Sequence, residues 1–323
     1  MKGITIKILV DNRTTSQLES EHGLSMLIET PETSILCDMG ASDAFLHNAT
    51  QMGVDLNKID FAFISHGHSD HTGGLGYLLN NFPDKKIYSS PSIFKEYYFS
   101  GRRGYWRAMS TDHSLLHKYP ENFIMIEGSG CSPLHGEPHK SNASQEEGSL
   151  SGRWLTPSMA IVSNSCNKWS RPYGNIYLAK QPATEGLNHL TADPAYLVPD
   201  NFEHELALAA ITDKGLVIIS SCSHCGAINI MESCIAFTGE KKISAFVGGL
   251  HFIDSPQVET EVETFATELY KIFGHNGNSN EAPLSSPIPR IITGHCTCDK
   301  AKEVLAKRVP GIEFFCTGSE IFI

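Results

Sequence analysis

Four side chains that can bind a metal ion lie within the six residues 66–71, namely His66, His68, Asp70 and His71. Neutral imidazole and carboxylate are good ligands for Zn²⁺, Mn²⁺ or Fe²⁺. The apolar segment 60–64 precedes them, and neighbouring glycines permit a tightly turned backbone. A histidine-rich surface loop is the alternative, but His-x-His-x-Asp-His between a strand and a helix is a specific pattern. We therefore predict a metal site, with Asp70 also taking part in catalysis.

Four ligands from one loop rarely complete a catalytic site, so we expect further side chains from other strand ends. Three histidines each lie just past an apolar segment that is typical of a buried strand, at 215–220, 243–248 and 290–293. These are His224, His251 and His295. Each could instead be a hydrogen-bonded structural histidine. Their shared setting favours His224 and His295 as ligands and His251 as a catalytic residue.

Two further groups can support such a site. Asp38 closes a predicted strand, where its carboxylate can orient a metal-bound histidine or merely cap a turn. Cys222 lies beside His224, and the spacings Cys222-x-x-Cys225 and Cys296-x-Cys298 leave a separate zinc or iron–sulfur site open.

The elements that must position these residues alternate in a regular order. We predict helices at 43–52, 74–81, 226–237, 256–273 and 299–308. We predict strands at 4–10, 24–29, 34–38, 60–64, 86–89, 159–163, 175–179, 205–211, 215–220, 243–248, 290–293 and 313–316. Strands dominate first and then alternate with helices. This order predicts an α/β protein with two sheets between helices, as one domain over 1–323.

Residues 95–153 break this pattern, and we interpret them as an insertion over the active site. The first part is aromatic and basic, and the second is polar and poor in apolar residues. Arginines bind phosphate in a bidentate fashion, so Arg102, Arg103 and Arg107 are candidate substrate ligands. A solvated charged surface is the alternative interpretation. Residues 275–289 are predicted to form a second loop.

Composition limits the functional classes. The net charge of -11 opposes contact with a phosphate backbone, so no nucleic-acid partner is expected. The sequence has no run of 18 apolar residues, and its N-terminus is typical of a strand rather than a signal peptide. Nine cysteines without a secretory signal favour reduced thiols and a cytoplasmic location.

These motifs together resemble the metallo-β-lactamase superfamily. The residues that carry the likeness are Asp38, the run 66–71 and the later histidines. More narrowly, the chain resembles the 7,8-dihydropterin-6-methyl-4-(β-D-ribofuranosyl)aminobenzene-5′-phosphate synthase family. The matching segments are 10–12, 21–29, 221–230, 248–251 and 294–297, together with the 38–75 block. Because Asn12 and His22 lie in matched segments, they are candidate substrate-binding residues.

The resemblance implies an αββα sandwich with metal at the sheet edge. His66 and His68 would hold one ion with a third histidine, which we take to be His224. Asp70 and His71 would hold a second ion with His295, and a metal-activated water would be the nucleophile. One or two ions are implied, most simply Zn²⁺, with Mn²⁺ or Fe²⁺ as alternatives.

This chain departs from the superfamily at one ligand. The superfamily usually carries a bridging aspartate at a strand end where this sequence reads Ser221-Cys222-Ser223-His224. A thiolate is a good zinc ligand, so Cys222 can take that place. Asp254 is a further candidate past a different strand.

Three functions are compatible with the sequence. The first is a metal-dependent enzyme acting on a small phosphorylated molecule, of the pterin- or ribosyl-phosphate kind that the resemblance suggests. The second is a nuclease or phosphodiesterase of the same superfamily, which the acidic charge disfavours. The third is a noncatalytic metal-binding protein that keeps the fold. A homo-oligomer is compatible with each of them.

Overall fold

The protein is described by a computed structural model that covers residues 3–126, 151–274 and 288–323. Within those ranges, two seven-stranded sheets form the body of the molecule. The first sheet, in spatial order, contains β18 (Glu320–Phe322), β1 (Thr5–Val10), β2 (Ser25–Glu29), β3 (Ser34–Cys37), β4 (Phe61–Phe63), β5 (Lys86–Ser89) and β8 (Phe123–Met125). The second contains β17 (Glu313–Phe314), β16 (Arg290–Thr293), β15 (Ile243–Val247), β14 (Gly215–Ile219), β13 (Leu206–Thr212), β10 (Met159–Ser163) and β9 (Gly152–Thr156).

A smaller four-stranded sheet and seven α-helices complete the described part. The small sheet has the order β12 (Val198–Pro199), β11 (Leu178–Pro182), β6 (Glu96–Ser100) and β7 (Arg107–Ala108). The α-helices are α1 (Ala44–Gln51), α2 (Ser69–Thr72), α3 (Leu75–Asn81), α4 (Ser114–Lys118), α5 (Ala227–Thr238), α6 (Val258–Phe273) and α7 (Asp299–Arg308). Short 3₁₀ helices occupy Leu56–Lys58, Pro91–Phe94, Pro120–Asn122 and Tyr173–Tyr177.

The two large sheets pack face to face because their strands are apolar on both sides. Ile8 and Ile35 of the first sheet share one buried cluster with Val217 and Ile292 of the second. Helices α1 and α3 cover the outer face of the first sheet, and α5, α6 and α7 cover the second. Burying each such aliphatic side chain contributes about 1.5–3 kcal/mol. The αββα sandwich predicted from the sequence is therefore confirmed.

Parallel strands bring distant loops to one rim of this sandwich. Strands β14, β15 and β16 pair in parallel, so their carboxyl ends lie side by side. Strands β3, β4 and β5 do the same in the facing sheet. The sulfur of Cys37, at the end of β3, lies 3.5 Å from the Ser221 hydroxyl that follows β14. The loops that follow these strands therefore face one another across the sandwich.

Several details differ from the sequence prediction. The predicted strand at 175–179 is wrong, because Tyr173–Tyr177 forms a 3₁₀ helix after Pro172 and the strand begins at Leu178. Within 95–153, β6 and β7 belong to the small sheet, whereas β8 extends the first large sheet.

Residues 127–150, and 275–287 of the second predicted loop, lie outside the described residues. The bounds of the insertion, the single domain over 1–323 and the cytoplasmic location stay predictions. Among the described helices, none has the length and apolar character needed to span a membrane.

Candidate metal centre

Residues 66–71, which we call the HGHSDH loop, are held in place by contacts that only glycine allows. A side-chain carbon at Gly67 would lie 2.6 Å from the ring of Tyr98, and one at Gly73 would lie 2.2 Å from the carbonyl oxygen of Ala41. Helix α2 begins directly after His68, and it carries both Asp70 and His71. The loop therefore turns sharply between β4 and α2 and directs its polar side chains toward the rim.

His66, His68 and His224 form what we call the first half of the rim. The ring centroids of His66 lie 4.6 Å from His68 and 5.0 Å from His224, and those of His68 and His224 are 4.9 Å apart. The Nε2 atoms of His66 and His224 are buried and have no hydrogen-bond partner among the described residues. A ring nitrogen of each lies with Cys222 Sγ in a group whose atoms are all within 4.8 Å of one another. Buried donor atoms without partners fit a metal ion.

Asp70, His71 and His295 form the second half. The Nε2 atom of His71 lies 3.1 Å from Nε2 of His295 and 3.7 Å from the carboxylate of Asp70. The same carboxylate lies 3.6 Å from His295 Nε2. Cys222 Sγ is 3.2 Å from His71 Nε2, so this thiol adjoins both halves. The place where the sequence departs from the superfamily therefore lies between the two ligand sets.

A hydrogen-bond network orients the imidazoles from behind. Asp38 accepts the Ser65 hydroxyl at 2.6 Å, and its carboxylate lies 2.8 Å from Nδ1 of His71. The Ser65 hydroxyl lies 2.8 Å from Nδ1 of His66, so the one carboxylate reaches both halves. Partners of this kind fix ring orientation and tautomer. Asp38 therefore lies where it can orient these rings, and its orienting role stays a prediction.

Amide side chains do the same at two other histidines. Asn175 Oδ1 lies 3.1 Å from Nδ1 of His224, and Asn12 Oδ1 lies 3.0 Å from Nδ1 of His295. Asn12 thus lies against His295, and its predicted role in substrate binding stays a prediction. Its amide nitrogen also donates to the carbonyl oxygen of His295 at 3.2 Å.

The pair Asp200 and His204 was not predicted from the sequence. Both are buried, and His204 Nε2 lies 3.0 Å from the Asp200 carboxylate, which is 3.5 Å from His68 Nε2. The Gly67 amide donates to His204 Nδ1 at 3.0 Å, which ties the metal-ligand loop to this pair. An Asp and a His four residues apart, just before a buried strand, are the signal that could have identified them.

Electrostatics differ between the two halves. Burial lowers the pKa of His66 and His224 well below the ordinary histidine value, which keeps both rings neutral. Burial also opposes a charge on His71, but the carboxylates of Asp70 and Asp38 outweigh it and raise the pKa of His71 to about 8. Burial opposes ionisation of Asp70 as well, yet the neighbouring His71 and His295 hold its pKa well below the usual range.

Unusual backbone geometry is concentrated in the loops of the rim. Among the described residues, six that are not glycine have positive φ, and they are Asp38, Phe202, Ser223, His251, Asp254 and His295. Such residues are uncommon, and they cluster at functional sites because packing must hold them there. Five of the six belong to loops that carry predicted site residues or Asp254, which is consistent with a functional role for this rim.

A cleft opens along the rim, lined by residues of both halves and also by Arg102, Arg107, His251 and Cys296. Arg102 Nε forms an ion pair with Asp254 at 2.9 Å, and its Nη2 lies 3.1 Å from His251 Nε2. His22 also lines the cleft, 3.5 Å from the carboxylate of Asp70. Arg103 is exposed and is not among the lining residues. Of the three predicted arginines, two therefore face this cleft.

The alternative cysteine site receives no support from the geometry. Cys222 and Cys296 lie in one potential ligand group with His251. Among the described residues, neither Cys225 nor Cys298 belongs to such a group. Cys225 Sγ instead faces the carbonyl oxygen of Phe202 at 3.7 Å.

The sequence of this chain is similar to those of known proteins. The family model described as "Metallo-beta-lactamase superfamily" matches residues 20–145. A Methanocaldococcus jannaschii protein named 7,8-dihydropterin-6-methyl-4-(beta-D-ribofuranosyl)-aminobenzene-5'-phosphate synthase is 30% identical over 299 residues, which cover 88% of this chain and 84% of that protein. An uncharacterized protein of the same organism is 27% identical over 251 residues, which cover 77% of this chain and 79% of that protein.

A solved structure shares the fold. The crystal structure of Tm1679, described as a metal-dependent hydrolase of the beta-lactamase superfamily, superposes with a TM-score of 0.70 at 24% identity and covers 98% of both chains. Together with the sequence relatives, this shows that the chain belongs to the metallo-β-lactamase superfamily. Within that superfamily it is similar to the synthase named above.

Proposed function

We propose that this protein is a metal-dependent enzyme of the hydrolase type that acts on a small phosphorylated molecule through metal-activated water. One observation carries the proposal. Imidazole nitrogens, a carboxylate and a thiol from the four segments 66–71, 222–224, 251 and 295 meet at one rim, beside a cleft that contains two arginines, and several of these nitrogens have no hydrogen-bond partner among the described residues. Donors from distant segments converge in this way where a metal and a substrate must be held together.

The two halves of the rim would hold the ions. His66, His68 and His224 fit a first ion, and Asp70, His71 and His295 fit a second, with Cys222 between them. Nitrogen ligands with a thiolate favour Zn²⁺ over Mn²⁺ or Fe²⁺. When bound, such an ion supplies Lewis acidity and lowers the pKa of water.

The chain's own residues position the substrate. The ion pair with Asp254 holds the Arg102 guanidinium at the cleft, where it can bind a phosphate group in a bidentate fashion. Arg102 can only donate to His251 Nε2, so the neutral His251 ring carries its proton on Nδ1. This Nδ1 is buried and has no hydrogen-bond partner among the described residues, so its N–H can donate a hydrogen bond to a bound group, and this contact is the role that we propose for His251.

Two observations support a substrate that combines a phosphate with a flat ring. The M. jannaschii relative is named for a product that contains a pterin and a ribofuranosyl phosphate. In this chain, Tyr105 and Trp106 are exposed and lie between Arg102 and Arg107 in the sequence, and aromatic faces stack on planar rings. We therefore infer a pterin- or ribosyl-phosphate-like substrate rather than a polymer.

The test is metal analysis combined with turnover. The zinc-loaded protein should hydrolyse small phosphoesters such as p-nitrophenyl phosphate or ribose 5-phosphate, and it should leave single-stranded RNA intact. Cleavage of RNA would replace the proposal with a nuclease. Full zinc occupancy without turnover of any phosphoester would instead support a noncatalytic metal-binding protein.

A further inference from the structure

Two cysteine thiols meet at the rim, and the proposed function uses only one of them. Cys222 follows β14 and Cys296 follows β16, on either side of β15. Both are 3% exposed, and both line the cleft along the rim. Their sulfur atoms lie within 4.8 Å of each other, in one group with a ring nitrogen of His251.

The backbone brings these sulfurs together. Cys296 Sγ lies 3.6 Å from the carbonyl oxygen of Cys222, and it accepts the backbone N–H of His251 at 3.3 Å. Gly249 lies between them, and a side-chain carbon there would come 2.4 Å from Cys296 Sγ and 3.6 Å from the Cα of Cys222. Any other residue at 249 would therefore displace Cys296. The backbone of the rim therefore fixes Cys296 close to Cys222.

The sulfur of Cys222 is shared by the two halves of the rim. Its sulfur belongs to the ligand group of His66 and His224 and also to that of His71 and His295. A thiolate binds a metal far better than a sulfur engaged in a disulfide, because the thiolate is the ligand species. A change at this one sulfur therefore acts on both halves.

We propose that Cys222 and Cys296 form an oxidation site for peroxides, and that a disulfide between them removes the sulfur shared by the two halves. The inference rests on the metal-binding part of the proposed function, and it does not depend on turnover. Both cysteines are buried but line the cleft, so an oxidant that enters the cleft meets both side chains.

Hydrogen peroxide is the oxidant, and it reacts with the two cysteines in two steps. Cys296 sulfur attacks one peroxide oxygen, the O–O bond breaks, and a sulfenic acid and one water form. Cys222 sulfur then attacks the sulfenic sulfur, the S–S bond forms, and the S–O bond breaks. The oxygen leaves as a second water with the Cys222 proton. Two thiols are oxidised and one peroxide is reduced.

The experiment treats the metal-free full chain with one equivalent of hydrogen peroxide. Alkylation, digestion and mass spectrometry should identify a peptide that joins residues 222 and 296. The oxidised protein should bind Zn²⁺ at least about tenfold more weakly than the reduced protein, as expected when a ligand position is disturbed. Dithiothreitol should restore binding.

Two variants make the test specific. Cys296→Ser should form no such crosslink and should keep its zinc affinity after peroxide. Cys298→Ser is the matched control, because residue 298 is the N-cap of α7 and serine is a favourable N-cap. This control should crosslink as the unaltered chain does.

Other results would overturn the proposal. These are oxidation of both sulfurs to sulfinic acid without a crosslink, a crosslink between other cysteines, or a 222–296 crosslink that leaves zinc affinity unchanged. If Cys296→Ser does not fold, the peptide map and zinc titration of the unaltered chain decide alone. A crosslink with zinc loss in a protein that hydrolyses no phosphoester would reject only the proposed function.

Discussion

The two halves of the rim use similar residues in different surroundings. In the first half, hydroxyl and amide groups hold the outer nitrogens of His66 and His224, and their Nε2 atoms have no partner among the described residues. In the second half, His71 contacts His295 and Cys222 directly, and two carboxylates lie nearby. The first half therefore presents neutral donors, whereas the second half is a charged cluster with contacts of its own.

This difference suggests how the two ligand sets would bind metal. Burial holds the pKa of His66 and His224 low, so an ion need not displace a proton from them. The two carboxylates raise the pKa of His71 to about 8, and an ion at the second half must compete with that proton. We expect the first half to bind the tighter ion.

Removing a ligand of the first half should have the largest effect. His68→Ala should abolish the tight ion and lower turnover by about a thousandfold or more, since a catalytic metal contributes several kcal/mol. The fold should survive. Elemental analysis, a kinetic assay and circular dichroism measure the three properties. His117→Ala, at an exposed position of α4, is the control. Full metal occupancy in His68→Ala would count against the site.

Replacing the shared thiol should affect both halves. If Cys222 lies between two ions, Cys222→Ser should reduce the zinc content from two ions per chain to one. Cys222→Asp, which restores the carboxylate usual in the superfamily, should keep both. Zinc titration by calorimetry distinguishes these outcomes. An unchanged zinc count in the serine variant would assign Cys222 to packing.

Removing an orienting carboxylate should lower the zinc affinity of one half and leave that of the other unchanged, with a smaller effect than removing a ligand. Among the described residues, His68 is the one proposed ligand that Asp200 contacts, so Asp200→Asn should weaken the tight ion by about 10- to 100-fold and spare the second half. A competition titration with a chelator of known affinity measures this change. Asp213→Asn, in the exposed turn after β13, should behave as the unaltered chain does. Equal weakening of both ions would show that the halves are not independent.

Changing the cleft should leave metal binding intact. Arg102→Gln should raise the KM for a phosphorylated substrate by about tenfold, because a hydrogen bond to a charged group contributes about 1.5–3 kcal/mol. Zinc content should not change. Arg103→Gln is the matched control, since Arg103 is exposed and lies outside the cleft lining. Equal effects of the two variants on KM would remove Arg102 from the substrate site.

The central parts of this architecture could be predicted from the sequence because their signals are local. Buried strands such as β14 and β15 are continuous apolar segments, and a histidine just past each one must lie at the sheet edge. The HGHSDH run needs no tertiary information. Short edge strands such as β9 and β18 gave no comparable signal, because their exposed residues lack a strand pattern.

Contacts between distant segments could not be predicted in the same way. His204 meets the Gly67 amide across 137 residues, and β6 pairs with β11 to form a separate sheet. Asn12 lay in a matched segment, but only the structure shows that it bonds to His295. Pairings of this kind depend on the assembled sandwich and leave no periodic trace along the chain.

The most direct test of the metal centre is anomalous diffraction at the zinc edge from crystals of the zinc-loaded protein. We predict a strong peak among the Nε2 atoms of His66 and His224 and the sulfur of Cys222, with a weaker peak beside His71 and His295. Zinc bound only elsewhere on the molecule, with no peak within bonding distance of these imidazoles, would contradict the account.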